Sequence, residues 1–295
     1  MKIFNRGLFA LMLGGPVLMT QPANAHVCDF SDVRMERLKD NFYVISGGGG
    51  NIGVSAGEDG VFLIDDQTAP LTPEILALIG EVNDGPIRFV LNTHLHGDHT
   101  GGNENLGREG AVILAHDNVR TRLIEREVSA GALPVLTFND QVSIHINGIE
   151  ARAVHVENAH TDGDSIIYFK GANVVHVGDI MFNTCFPFID TNSGGSFKGL
   201  IPAIEGVLAK IDEETIVIPG HGPVTDKAGL ETYLDMLVTI GGRVRSLKSS
   251  GKTLEEVLAA NPAAEFDEVW SWSFINGEKF VTTLYNTMED WAEAP

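Results

Sequence analysis

The stretch Thr93-His94-Leu95-His96-Gly97-Asp98-His99-Thr100-Gly101-Gly102-Asn103 decides how this chain is read. It follows the apolar run Ile87–Asn92 directly, so it lies where a strand runs into a loop. His94 and His96 are separated by one residue, and on extended backbone both rings point to the same side. Gly97 then turns the chain, and Asp98 and His99 can reach a second point close by. Three imidazoles and a carboxylate this close together suit zinc or another borderline divalent ion. A chance cluster on a polar loop is the alternative, but H-x-H-x-D-H is too specific a combination to arise often.

Working outward, three further segments repeat the pattern of an apolar run ending in a ligand-type residue. They are Asn158-Ala159-His160-Thr161-Asp162-Gly163-Asp164-Ser165, then Val177-Gly178-Asp179, then Ile218-Pro219-Gly220-His221-Gly222-Pro223. Each is weak alone, and Asp162 and Asp164 also read as turn residues. Four such segments in succession are far more informative. Five of the ten histidines fall within them.

Around these motifs the chain alternates between strand and helix patterns. Strands are expected at 42–46, 61–65, 87–92, 111–115, 142–146, 150–156, 165–169, 173–177 and 215–218, which are rich in Val, Ile and Phe and bounded by Gly, Asn and Asp. Helices are expected at 72–82, 117–128, 198–211, 226–248 and 277–291, with Thr253 and Glu256 forming a capping box for another that reaches about 260. No low-complexity linker divides the chain, so the expectation is one α/β domain in which helices cover mixed sheets.

The ordered motif set resembles the metallo-β-lactamase superfamily, over about Asp40 to Pro223. The resemblance implies an αββα sandwich, two mixed β-sheets flanked by helices, with a metal site where the strand-end loops meet. It further implies that His94, His96 and His160 hold one metal, that Asp98, His99 and His221 hold a second, and that Asp179 bridges both. The implied cofactor is two zinc ions, with iron or manganese as alternatives. The implied activity is that of a dizinc hydrolase whose metal-bridging hydroxide opens an amide, lactone or (thio)ester carbonyl, with β-lactams among the candidates. Asp98 would be both ligand and the residue that orients the nucleophile.

Departures within the superfamily narrow the choice. One subclass of β-lactamases has cysteine at the position of Asp179 and lysine three residues later, where this chain has Phe182. A bridging aspartate is more similar to glyoxalase II-type thioesterases and lactonases, yet the basic glutathione-binding tail of glyoxalase II is not evident in the acidic C-terminal segment. His96 stands where flavo-diiron oxygen reductases carry glutamate, which points to hydrolysis. A mononuclear-iron persulfide dioxygenase is a further alternative, opposed by the complete second set Asp98, His99 and His221.

Composition bounds the partners. Forty acidic and 20 basic residues in 295 give a formal charge of −20, with no basic run, and such a chain is a poor binder of nucleic acid. The substrate is therefore expected to be a small molecule; the sequence leaves oligomeric state open. Lys2 and Arg6, an apolar run of about 13 residues too short to span a bilayer, and Ala23-Asn24-Ala25 read as a cleaved signal peptide over 1–25. Cleavage removes both cations and no acid, leaving a periplasmic or secreted chain of 26–295 that ends in a helical C-terminal extension and has no stable membrane association. Cys28 and Cys185 would meet an oxidising compartment, and the sequence leaves their pairing open.

Other residues carry paired readings. His116, His145, His155 and His176 are expected to be structural or exposed, and His26 to be the new N-terminus. Gly47–Gly50 is either a loose loop or a mobile flap over the site. Phe182, Phe186, Phe188 and Ile189 either wall a pocket or belong to the core. The segment 192–196 either lines the cleft or supplies Ser196 as a helix cap. Trp270, Trp272 and Trp291 are expected to be packing aromatics.

Overall fold

Alternation with a period of two assigns each strand face to one of two apolar layers. The computed structural model describes Cys28 and residues 32–287. The expected signal segment, His26 and Trp291 lie outside them. Seven strands form the first sheet in chain order: β1 (Arg34–Lys39), β2 (Phe42–Ser46), β3 (Ile52–Gly57), β4 (Gly60–Ile64), β5 (Ile87–Leu91), β6 (Val112–His116) and β7 (Leu136–Phe138). β1 to β4 pair antiparallel, and β4 to β7 pair parallel. The second sheet runs in the order β12 (Ile216–His221), β11 (Val174–Phe182), β10 (Ser165–Lys170), β9 (Ile149–His155), β8 (Gln141–Ile146). Its pairs are antiparallel except β11 with β12, which are parallel.

The helices are α1 (Thr72–Gly80), α2 (Gly97–Thr100), α3 (Asn103–Arg108), α4 (Asp117–Glu125), α5 (Phe197–Leu208), α6 (Lys227–Ser249), α7 (Leu254–Ala260), α8 (Asp267–Trp270) and α9 (Gly277–Thr287). Phe62 and Ile64 of β4 meet Ile167 and Phe169 of β10 in a layer between the sheets. Val61 and Leu63 face the other way, onto Ile75 and Ile79 of α1. Val175 and Val177 of β11 pack with Leu200 and Ile204 of α5 and with Leu237 and Ile240 of α6. The result is helix, sheet, sheet, helix, as the resemblance implied. Among the described residues no helix is long and apolar enough to cross a membrane.

Every strand and helix expected within the described residues is present, within a few residues at most ends. Thr253 caps α7 through the expected box with Glu256. Three strands were not expected: β1, β3 and β7. The reading of Asp179 as the end of its strand is corrected, because β11 continues to Phe182. The register shifts around Gly178, whose φ of +53° re-aims the chain before Asp179. Cys28 and Cys185 are disulfide-bonded, which settles the pairing left open above.

Candidate metal centre

β5 ends at Leu91, and the chain then turns from extended backbone at His96 into the single turn of α2. That geometry sends His94 and His96 to one point and His99 to another. His160 arrives from the loop between β9 and β10, Asp179 from within β11, and His221 as the last residue of β12. All seven residues implied as ligands are thereby brought together, in two groups: His94, His96, His160 with Asp179, and Asp98, His99 with His221.

In the first group His96 Nδ1 lies 3.0 Å from His94 Nε2 and 2.9 Å from His160 Nε2. The three rings meet nearly at right angles, so their lone pairs converge rather than their faces. Asp179 stands between the groups. Its Oδ2 is 3.5 Å from His94 Nε2 and 3.4 Å from His160 Nε2, while its Oδ1 is 3.1 Å from His99 Nε2 and 3.6 Å from His221 Nε2. Asp98 Oδ2 is 3.2 Å from His221 Nε2. A buried carboxylate with one oxygen toward each histidine group, and Oδ1 without a hydrogen bond, has the chemistry of a ligand shared by two cations.

Each outward-facing nitrogen named here has its own partner. His160 Nδ1 donates to the Phe188 carbonyl (2.8 Å), and His94 Nδ1 meets Thr93 Oγ1 (2.9 Å), whose hydroxyl donates to Asp65 Oδ2. Asp65 Oδ2 also receives His99 Nδ1 at 2.7 Å. His96 Nε2 meets Asp190 Oδ2 at 2.9 Å, and Arg126 lies 3.5 Å behind that oxygen. Such contacts set ring orientation and raise ligand basicity. Asp65 and Asp190 were missed from the sequence. Asp65 ends an apolar strand run, the same signal that singled out Asp179. Asp190 sits in a loop where it also caps the turn at 191–193, so its residue type alone could not reveal this contact.

Charge differs between the groups. Burial pushes His94 well below the usual imidazole range and lowers His160 to about 4. Burial acts the same way on His99 and His221, but the surrounding carboxylates outweigh it. Asp179 and Asp98 lift His221 to about 9, and with Asp65 they lift His99 as well. The same histidines hold Asp98 and Asp179 below the ordinary carboxylate range despite burial.

The four-glycine run is docked against the site. Gly50 N–H donates to the Asp98 carbonyl and Gly50 O accepts from Gln67, while a side chain at Gly50 would enter the His99 ring. Ser196 caps α5, and the Asn158 and Ala159 carbonyls accept its N–H, so 192–196 braces the His160 loop. Over the two groups opens a cleft of about 520 Å³. Phe182 and Phe188 belong to its wall, whereas Phe186 and Ile189 are core. Trp272 also lines it, which corrects the reading of that residue as packing alone; Trp270 is buried as expected. Phe182 stacks on His221 with ring centroids 5.0 Å apart and presents an apolar ring to the cleft. His145 is exposed, and His116, His155 and His176 lie outside both groups.

The sequence model described as the metallo-beta-lactamase superfamily matches residues 45–221, and the chain belongs to that superfamily. A hydroxyacylglutathione hydrolase of Pelagibacter ubique is 29% identical over 139 residues, 46% of this chain and 52% of that protein. The chain spans about half the length of the first curated relatives it matches. Among solved structures, a metallo-beta-lactamase from Pontibacter korlensis superposes with a TM-score of 0.63 at 19% identity, over 70% of this chain and 99% of that one. A sec-alkylsulfatase from a Pseudomonas species superposes with a TM-score of 0.71 at 18% identity, over 89% and 52%. At these identities the structures speak for the fold alone.

Proposed function

We propose that this protein is a dizinc hydrolase that opens a carbonyl–heteroatom bond, with a thioester or lactone preferred to a β-lactam. The observation that carries this reading is Asp179, set between two histidine groups with one oxygen toward each. His94 Nε2, His96 Nδ1 and His160 Nε2 would hold one ion, and Asp98, His99 Nε2 and His221 Nε2 the other, with Asp179 common to both. When bound, such ions supply Lewis acidity toward a carbonyl oxygen and lower the pKa of water toward neutrality.

The chain's own residues do the rest. Asp98 keeps 28% of its side chain exposed, in the cleft, whereas His99 beside it is fully buried. It is therefore the carboxylate available to orient an attacking water. Asp190 and Asp65 hold the His96 and His99 rings so that this geometry costs no reorganisation during reaction. Phe182 against His221 leaves no cation to grip a β-lactam carboxylate at that point, and the names of the hydroxyacylglutathione hydrolase relatives support a thioester.

Residues 26–295 would form one catalytic domain, exported by the signal segment 1–25 to the periplasm or beyond. The Cys28–Cys185 disulfide supports an oxidising compartment. The test is a hydrolysis panel with the zinc-loaded chain: a cephalosporin, a carbapenem, an acyl-homoserine lactone, a thioester and a phosphodiester. Turnover of the thioester or lactone is expected. Turnover of the phosphodiester alone, or one iron per chain with no hydrolysis, would overturn the proposal.

A further inference from the structure

Three residues of the cleft wall above the metal centre, Trp272, Ser273 and Phe274, come from beyond the part of the chain that the superfamily model matches, which ends at 221. The loop between α8 and α9 carries Trp272 and Phe274 to it. Trp272 is fixed at two points: its indole N–H donates to the Phe186 carbonyl (3.0 Å), and its backbone N–H donates to the Ile275 carbonyl (3.0 Å). Lys279 braces the same loop by donating its ammonium to the Phe274 carbonyl. Trp272 lies 6.1 Å from Phe182 and 6.2 Å from the His221 ring. Phe274 lies 5.6 Å from Trp272 and 5.2 Å from Phe188, which in turn is 5.8 Å from His96. An arc of rings thus runs from one histidine group, out through the C-terminal loop, and back to the other.

Two further facts define what the arc would hold. No lysine or arginine lines the cleft among the described residues. Phe274 is 49% exposed, so the outer end of the arc has an open apolar face beside the cleft. The Lys279 ammonium, 5.8 Å from the Phe274 ring centroid, is bound to the Phe274 carbonyl and is not part of the lining, so a rigid aromatic wall with one open face selects for apolar bulk and against a second negative charge.

Resting on the hydrolase reading above, we infer that Phe188, Trp272 and Phe274 form a specificity subsite for an uncharged alkyl or aryl acyl group, placed so that its carbonyl reaches the metal centre. Substrates with an anionic or zwitterionic tail at that end are disfavoured. Each methylene covered by the wall is worth roughly four- to tenfold in kcat/KM.

The test uses the zinc-loaded chain and a thioester series on one neutral thiol: acetyl, hexanoyl, phenylacetyl, and adipoyl, which ends in a carboxylate. kcat/KM is expected to rise at least tenfold from acetyl to hexanoyl and phenylacetyl, and to fall at least tenfold from hexanoyl to adipoyl. Phe274→Ala, at a half-exposed position, is expected to bring the hexanoyl-to-acetyl ratio toward one, and Trp272→Leu likewise. Binding of the same compounds, read from tryptophan fluorescence, separates the two proposals. Tight hexanoyl binding without turnover, weakened tenfold by Phe274→Ala, leaves the subsite standing and removes the hydrolase reading. A preference for adipoyl, or a series that neither variant alters in rate or binding, overturns the subsite.

Discussion

Among the described residues histidines gather in two places, the metal centre and a stacked pair, and the rings are oriented to converge on a shared point at the first. At the metal centre the rings of His94, His96 and His160 stand edge to face, at 74° to 88°, so that in-plane nitrogens converge. His116, at the end of β6, and His155, at the end of β9, lie parallel at 9° with centroids 3.7 Å apart. Parallel rings turn their lone pairs away from any shared point. Their nitrogens serve the backbone instead: His116 Nδ1 accepts from Asn118 N–H, and His155 Nδ1 donates to the Asp164 carbonyl. The charges diverge as well. Carboxylates raise His99 and His221, while burial and the neighbouring His155 push His116 down. A histidine's role here follows from ring orientation and from which carboxylates face it, more than from burial.

Substitutions should therefore act differently in the two groups. The largest effect is expected at the metal centre, where His96→Ala or Asp98→Asn should lower kcat/KM roughly a thousandfold or more and reduce bound metal. Metal content and turnover are measured together, and a metal-free His96→Ala variant with full activity would contradict the assignment. One step out, Asp190→Asn keeps the shape but removes the charge that faces His96 Nε2. Metal affinity is expected to fall about 10- to 100-fold. A competitive chelator titration reads this, and unchanged affinity would reduce Asp190 to a turn cap.

The smallest effect belongs to the stacked pair. A histidine whose folded pKa is depressed adds stability above its unfolded pKa near 6.5, and that stability is lost as pH falls through the lower folded value. His116→Asn keeps an acceptor for the Asn118 N–H and removes the proton site. Its melting temperature should fall less than the parent's between pH 7 and 5, by about 1 to 2 °C, with turnover at pH 7 unchanged. A loss of activity there would erase the distinction between the two groups.

Much of this was legible in the sequence where two signals coincide. An apolar run that ends in His or Asp marks a strand and its end, and four such segments in order carried the resemblance that implied the seven residues which the fold brings together. Asp179 shows the limit of that signal, because a bulge at Gly178 lets the strand run on past the ligand. β1 escaped notice because Arg34–Lys39 is a mostly exposed polar edge, β3 because Gly53, Ser55, Ala56 and Gly57 dilute its apolar pattern, and β7 because it is three residues long. Asp65 carried the strand-end signal without a neighbouring motif to support it, whereas Asp190 and the Trp272–Phe274 wall depend on contacts between segments far apart in the chain, which local pattern does not encode. The glycine run was ambiguous for the same reason: only the approach of His99 to Gly50 shows what it packs against.

The central claim is that Asp179 joins the two groups into one two-metal site. Zinc stoichiometry of the parent chain and of Asp179→Ala, by mass spectrometry of metal-saturated protein under native conditions, tests it most directly. The account predicts two zinc ions per parent chain, with both weakened in the variant. One ion in the parent, or two retained with undiminished affinity in Asp179→Ala, would contradict it.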